Sequence, residues 1–452
     1  MRCLPVFILV LLLALPARAA EEEVDVGQAS AALLFAPGPK LEAAAEALLR
    51  RGRPDVLAAA ILALRFRGPE PALLRLFRAL AGGQVEGWYE AMLWQQAHPE
   101  IRPHESYRGL KLSLLARIDP SFLDFFDAGG DDRLRIRLEE IAWGGVVVDG
   151  IPSLDFPKML PAAQARYLND DDLVFGVVLN GDARAYPLRI MGWHEMFNDV
   201  VGGVPVALAY CTLCGAGILF ESRVEGREQA FVFGSSGLLY RSNKLMFDRE
   251  TMSLWNQFTG EPVSGPLADS GIELKILPVA IAAWAEWRRA NPATTVLSLD
   301  TGHRRDYGAG VVYRDYFASP ELMFPAVVGD ESRVRRKGYV FGMRGPGTTR
   351  AWPLAAFEGG RVLNDRLGGM EVVLVGDAAT RTVRAYAREG REFTVGAAPG
   401  TLAGPGGAWR IEEAALVGPG GERLPRLAGH VAYWFAWEGY LGVRSSLYPD
   451  PG

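Results

Sequence analysis

Two thiols three positions apart, in Tyr210-Cys211-Thr212-Leu213-Cys214-Gly215, are the sharpest chemical feature of this 452-residue chain. Such a pair can chelate a metal, close a reducible disulfide, or supply a nucleophile and the thiol that resolves it. A structural zinc site wants four ligands, and the only other cysteine is Cys3. His194, in Trp193-His194-Glu195, is the natural third group. Three readings stay open. In the first, His194, Cys211 and Cys214 hold copper or zinc and leave one coordination position free, because thiolates with imidazole suit those metals. In the second, Cys211 is a nucleophile and His194 its base, with Glu195 or a backbone carbonyl orienting the imidazole. In the third, Cys211 and Cys214 form a structural disulfide, His194 is merely hydrogen-bonded, and the chain is a non-catalytic binding or scaffold module.

A second polar cluster follows: Gly234-Ser235-Ser236-Gly237, then Arg241, Asn243, Asp248 and Gln257. Side chains this dense between strands can bind a small-molecule ligand, and the same residue types also make turns. Ser235-Ser236 lacks the full G-x-S-x-G pattern, which argues against a serine hydrolase. His303 reads as a solvent-facing loop histidine, His430 as part of the aromatic core, and His98 and His104 as linker residues.

The elements that must position these groups are short. Gly192 to Asp199 reads as a helix of roughly 12 Å. Gly202-Gly203 reverses the chain, and Val204 to Tyr210 returns about 23 Å as a buried strand. That path brings Cys211 back past His194. Leu173 to Leu179 and Ala183 to Pro187 flank Asn180-Gly181-Asp182, a hairpin signal. Ala216 to Arg223 and Gln229 to Phe233 are expected to pair around Glu225-Gly226, and Ile281 to Ala290 to form a helix. Much of this segment returns at a constant offset. Val174-Phe175-Gly176, Arg184-Ala185-Tyr186-Pro187-Leu188 and Asn198-Asp199 recur as Val340-Phe341-Gly342, Arg350-Ala351-Trp352-Pro353-Leu354 and Asn364-Asp365. The second copy has Gly360, Asp377 and Thr380 where the first has His194, Cys211 and Cys214. The architecture needs two units, and the chemistry needs one.

Upstream, Leu41 to Gly83 reads as helices that open on proline and close on glycine. The expected fold class is therefore α+β: an N-terminal helical domain, then a β-rich domain of two related, pseudo-duplicated units. The expected divisions are a leader peptide over 1–19, helices over 20–135, the His/Cys unit over 136–330 and a degenerate unit over 331–452. The helical part is expected to pack or to dock a protein partner.

The net charge of −5 argues against a nucleic-acid partner, which needs a concentrated basic surface. Arg2, the apolar run Leu4 to Leu15 and Ala17-Arg18-Ala19 read as a secretory signal with its cleavage site. That run is too short for a comfortable membrane span and no later one is long enough, so the mature chain is expected to lack an integral membrane segment. Export to a bacterial periplasm is the expected location, where two cysteines can be joined.

Trp143-Gly144-Gly145, Asp149-Gly150-Ile151-Pro152, Trp193-His194-Glu195, Tyr210-Cys211-Thr212-Leu213-Cys214-Gly215, Asp248-Arg249 and Ser253-Leu254-Trp255 together carry a resemblance. From Trp143 to about Tyr316 the chain resembles the exported bacterial and archaeal proteins catalogued as domain of unknown function 3179. The resemblance implies a location and a motif, and no reaction. Similar members often keep the first cysteine with threonine at the place of Cys214. That implies a site centred on His194 and Cys211, with Cys214 an optional contributor. It also demotes His303, whose place is commonly tyrosine.

Overall fold

The computed structural model describes residues 24–126, 133–442 and 445–450, so the leader peptide expected over 1–19 lies outside them. The architecture is α+β: N-terminal helices, then a β-rich region of several sheets. Among the described residues no helix is long and apolar enough to cross a membrane.

The helices begin and end where the punctuation says. Pro71 opens Pro71–Ala81 and Gly82 closes it at φ 71°, while Gly52 closes Gly38–Arg51 at φ 68°. A glycine at that position satisfies the last carbonyls without a Cβ penalty. Leu57–Arg67 is buried continuously from Leu57 to Leu64, so it is the central helix of the group. These helices share one hydrophobic core with Leu238 and Tyr240 of the strand Phe233–Tyr240 and Leu245 and Phe247 of the strand Asn243–Asp248. Polar bonds pin the seam. The Lys111 ammonium donates to the Leu138 carbonyl at 2.6 Å and also to that of Ile141, and Gln96 Nε2 donates to the Pro325 carbonyl at 3.0 Å.

Two sheets build the region around the cysteines. One runs Ile276–Leu277, Ala216–Glu221, Val204–Cys211, Met196–Val201, Leu154–Asp155 in spatial order. The other runs Ile141–Trp143, Phe233–Tyr240, Asn243–Asp248, Leu254–Asn256, Glu261–Ser264.

Three local expectations are corrected. The helix expected from Ile281 to Ala290 begins only at Trp284, because Ala280–Ala283 pairs with Leu173–Leu179 as a strand. The helix expected from Gly192 to Asp199 is instead Leu188–His194, stopped by Glu195 in a left-handed conformation at φ 54°. Met196–Val201 is then free to pair with Val204–Cys211 across Gly202-Gly203, and that pairing satisfies its backbone. Gln229 to Phe233 does not form the expected ladder with Ala216 to Arg223, although the Phe231 N–H bonds the Ser222 carbonyl at 2.9 Å. Ala216–Glu221 already has Val204–Cys211 on one edge and Ile276–Leu277 on the other. Phe233 therefore opens the next sheet, in a hairpin with Asn243–Asp248 that turns at Arg241-Ser242, both at positive φ.

The repeated segments take like pairings. Leu173–Leu179 pairs with Asp182–Pro187, setting Phe175 opposite Tyr186, and Tyr339–Gly345 pairs with Thr348–Pro353, setting Phe341 opposite Trp352. Asp199 accepts from Arg184 at 2.8 Å and Tyr186 at 2.6 Å, and Asp365 accepts from Arg350 at 2.8 Å and Trp352 at 2.7 Å. Each first strand is edged by another strand, Ala280–Ala283 or His430–Tyr433, that leads into a helix. Those helices lay Trp287 over Gly176 and Trp437 over Gly342.

Candidate functional site

The hairpin between Val204–Cys211 and Ala216–Glu221 closes through Thr212-Leu213-Cys214-Gly215, which brings the two cysteines onto one turn. Both thiols are free and buried, with their sulfurs 2.7 Å apart. That is inside van der Waals contact and beyond the roughly 2.05 Å of a disulfide bond. The turn is clamped from outside: Tyr316 donates to the Leu213 carbonyl at 2.6 Å, and the Tyr433 backbone N–H to the Cys214 carbonyl at 2.7 Å. Burial pushes the Cys214 thiol well up, and the neighbouring Cys211 adds to this.

A polar relay supports the pair from the adjacent sheet. Gln257 Nε2 donates to the carbonyls of Ala209 and Ala216, at 2.8 and 3.0 Å, and so staples the hairpin. Its Oε1 accepts from Asn243 Nδ2 at 2.6 Å, and that nitrogen also stands 3.2 Å from the Cys214 sulfur. Of the four residues expected to bind a ligand, Asn243 and Gln257 thus reach the cysteines as supports. Arg241 is ion-paired with Glu140. Asp248 is consumed by the 248–253 turn, accepting from Thr251 at 2.7 and 2.8 Å and from Trp255 Nε1 at 2.8 Å.

Cys211 borders a cavity of about 60 Å³ whose wall includes Glu195, Thr212, Ser235, Lys244 and Tyr313. A water needs roughly 10–15 Å³ by this measure, so the cavity holds several. Glu195 and Lys244 form a buried ion pair at 3.3 Å, with side chains 7 % and 4 % exposed. Thr212 and Tyr313 donate to the Glu195 carboxylate at 2.8 and 3.1 Å. The charge of Glu195, together with burial, holds the Tyr313 phenol well above its ordinary value, so it stays a donor. Lys244 and Tyr313 were missed in the sequence. A lysine directly before the apolar run Leu245-Met246-Phe247 was the available signal, since a charge in a buried strand needs a partner.

His194 stands apart from this group. Its Nδ1 meets the Pro152 carbonyl at 2.8 Å and its Nε2 meets the Tyr307 hydroxyl at 2.6 Å. A carbonyl only accepts, so Nδ1 carries the proton and Nε2 accepts from Tyr307. The imidazole is oriented by a backbone carbonyl, not by Glu195, whose carboxylate turns to Thr212, Tyr313 and Lys244. The backbones do return as expected, with the Tyr210 N–H on the Glu195 carbonyl at 2.8 Å. The left-handed turn at Glu195 is what separates the side chains. Among the described residues no group of three or more His, Cys, Asp and Glu is gathered to hold a metal ion. The three-ligand set expected of His194, Cys211 and Cys214 is therefore not assembled. His303 is exposed, its ring 5.2 Å from that of His194.

Burial pulls the His194 imidazole down to about 4, and the Pro152 bond opposes this. An unfolded histidine titrates near 6.5. Between those values the unfolded chain binds the extra proton, so acidification through this window removes stability. Replacing His194 with Asn, which keeps a donor towards Pro152, should shrink the loss of urea-unfolding free energy between pH 7.5 and 4.5. An unchanged loss would show that other groups set the acid limit.

No curated protein and no solved structure matches the chain. Residues 148–443, the greater part of the chain, match the model of the family described as protein of unknown function (DUF3179), and the chain belongs to that family.

Proposed function

We propose that the Cys211 cavity is a thiol redox site for a small oxidant, carried on an exported protein. The observation behind this reading is the pair of free sulfurs 2.7 Å apart, of which Cys211 borders the cavity. Cys211 is the reacting thiol, and Cys214, behind it and kept protonated by burial, is the resolving one. The Lys244 ammonium lines the same wall, and Glu195 holds it in place.

A hydroperoxide fits a cavity of this size. The Cys211 sulfur attacks one peroxide oxygen and the O–O bond breaks. The distal oxygen leaves with the thiol proton as water or an alcohol, and Cys211 becomes a sulfenic acid. The Cys214 sulfur then attacks Cys211, the S–S bond forms, and the hydroxyl leaves with the Cys214 proton as water. Two thiols give up two electrons, and one peroxide bond accepts them.

The test is a thiol count on the full chain before and after hydroperoxide, with a sulfenic-acid trap. Wild type should lose two thiols and form one intramolecular disulfide. Cys214→Ser should accumulate about one trapped sulfenic acid per chain, at Cys211. Unchanged thiol counts would sink the redox reading. Stoichiometric copper or zinc, lost in Cys211→Ser, would replace it with a metal site. A Cys211–Cys214 disulfide that resists reductant would make the pair structural. Export rests on Arg2, Leu4 to Leu15 and Ala17-Arg18-Ala19, and N-terminal sequencing of the secreted form checks it.

A further inference from the structure

We infer that the chain has a second site, separate from the cysteines, that binds a small oxyanion (a carboxylate or phosphate group) between Arg344 and His430. The site is a cleft of about 290 Å³ where Glu273 to Ile276 meets the strands Tyr339–Gly345 and His430–Tyr433. Arg344 and His430 line it together.

Both side chains carry hydrogen-bonding capacity that the fold does not use. Arg344 Nη1 donates to the Thr259 carbonyl at 3.2 Å, while its Nη2 has no partner. His430 is 3 % exposed, held between the rings of Phe258 and Trp437 at 5.4 and 5.5 Å, and its Nε2 also has no partner. The hydroxyl of Thr259, whose carbonyl Arg344 bonds, is likewise unsatisfied. Leaving such a buried atom without a partner is costly, so two of them on residues of one cleft call for an occupant. Among the described residues no carboxylate comes within ion-pair distance of Arg344. Glu273 lies on the cleft wall and Lys275, its neighbour, is paired with Glu221 at 2.9 Å. Burial lowers the affinity of Arg344 for its proton against the opposing pull of Glu273 and Glu261, and it lowers that of His430, which Arg344 lowers further, so the imidazole is neutral beside the guanidinium.

The repeat supplies the argument that these residues are not scaffold. At the repeat offset the place of Arg344 is taken by Val178. In the strand register Gly342 faces His430, whereas Gly176 faces Ala280. The first copy builds the same strands with apolar side chains at both places. The second copy, which lacks the cysteines, therefore carries a polar pair of its own. A guanidinium edge and an imidazole nitrogen suit a group with two or three acceptor oxygens, one of them protonated or hydrated towards His430. The exposed Glu273 disfavours a large or highly charged anion.

The test is a titration of the full chain with acetate and, separately, with inorganic phosphate, at constant ionic strength, followed by calorimetry. Saturable binding of at least one anion is expected, and the stronger of the two identifies the source. Arg344→Leu should weaken that binding by about tenfold or more without lowering the thermal midpoint, because Val178 is tolerated at the equivalent place. Arg344→Lys should be intermediate, keeping the charge and losing the fork. Cys211→Ser should bind as wild type, which separates this site from the thiol site. No saturation by either anion, or an unchanged affinity in Arg344→Leu, would overturn the inference.

Discussion

Lys244→Met is expected to lower the unfolding free energy by about 3–5 kcal/mol, the cost of leaving one member of a buried ion pair without its partner. The two side chains, Lys244 and Glu195, are only 4 % and 7 % exposed, so solvent cannot replace what the substitution removes. Lys244 also donates to the Glu195 carbonyl at 3.3 Å, which fixes the residue where the helix Leu188–His194 ends. Removing Glu195's charge as well, in Glu195→Gln with Lys244→Met, should recover most of the loss, because two neutral groups of similar shape need no mutual compensation. Urea denaturation of the single and double variants decides it. A single-variant cost below about 1 kcal/mol would place the pair in the class of solvated surface bridges. The same measurement bears on reactivity. If the Glu195–Lys244 pair shapes the wall of the Cys211 cavity, the single variant should also lose thiols to hydroperoxide more slowly than wild type.

Gly176→Ala and Gly342→Ala should each cost about 1–3 kcal/mol, at the upper end of what overpacking imposes. Neither glycine has a positive φ, so the reason is space and not backbone conformation. A Cβ on Gly176 falls on the Trp287 ring and one on Gly342 falls on the Trp437 ring, both well inside van der Waals contact. Trp287 and Trp437 are fully buried and cannot swing away. Trimming the ring should relieve the clash. Gly176→Ala should cost less in a Trp287→Leu background than in wild type, a coupling of about 0.5–3 kcal/mol in a double-mutant cycle. Additive costs would mean that the strand, not the tryptophan, resists the methyl group. Gly203, whose Cβ meets nothing within van der Waals reach, is unsuitable as a control because its φ is 80°. Gly83, with open space and no positive φ, is the appropriate one.

Local features were legible in the residues. Pro71 and Gly82 delimit their helix because one lacks an N–H that the first turn does not need and the other lacks the Cβ that a left-handed cap resists. Asn180-Gly181 made its hairpin for the same kind of reason, since both sit at positive φ. The α+β class and the buried strand Val204–Cys211 follow from patterns written within a few positions of each other. The meeting of Cys211 with Cys214 belongs here too, because three residues across a tight turn leave little choice.

The partners of His194 were not legible. Its distance along the chain from Cys211 suggested a meeting, and the backbones do return, with Tyr210 bonded to Glu195. One left-handed residue, Glu195, ends the helix and sends the imidazole to Pro152 and Tyr307 while its own carboxylate turns to Lys244. No periodicity encodes that rotation. Tyr307 lies 113 residues from His194, and Lys244 lies 49 from Glu195. The sequence by itself determined the elements, their turns and the dithiol, because backbone sterics and burial patterning act over a handful of residues. The tertiary structure alone decided which charges share the Cys211 cavity and which buried polar atoms lack a partner, because those depend on where distant strands bring side chains out of water.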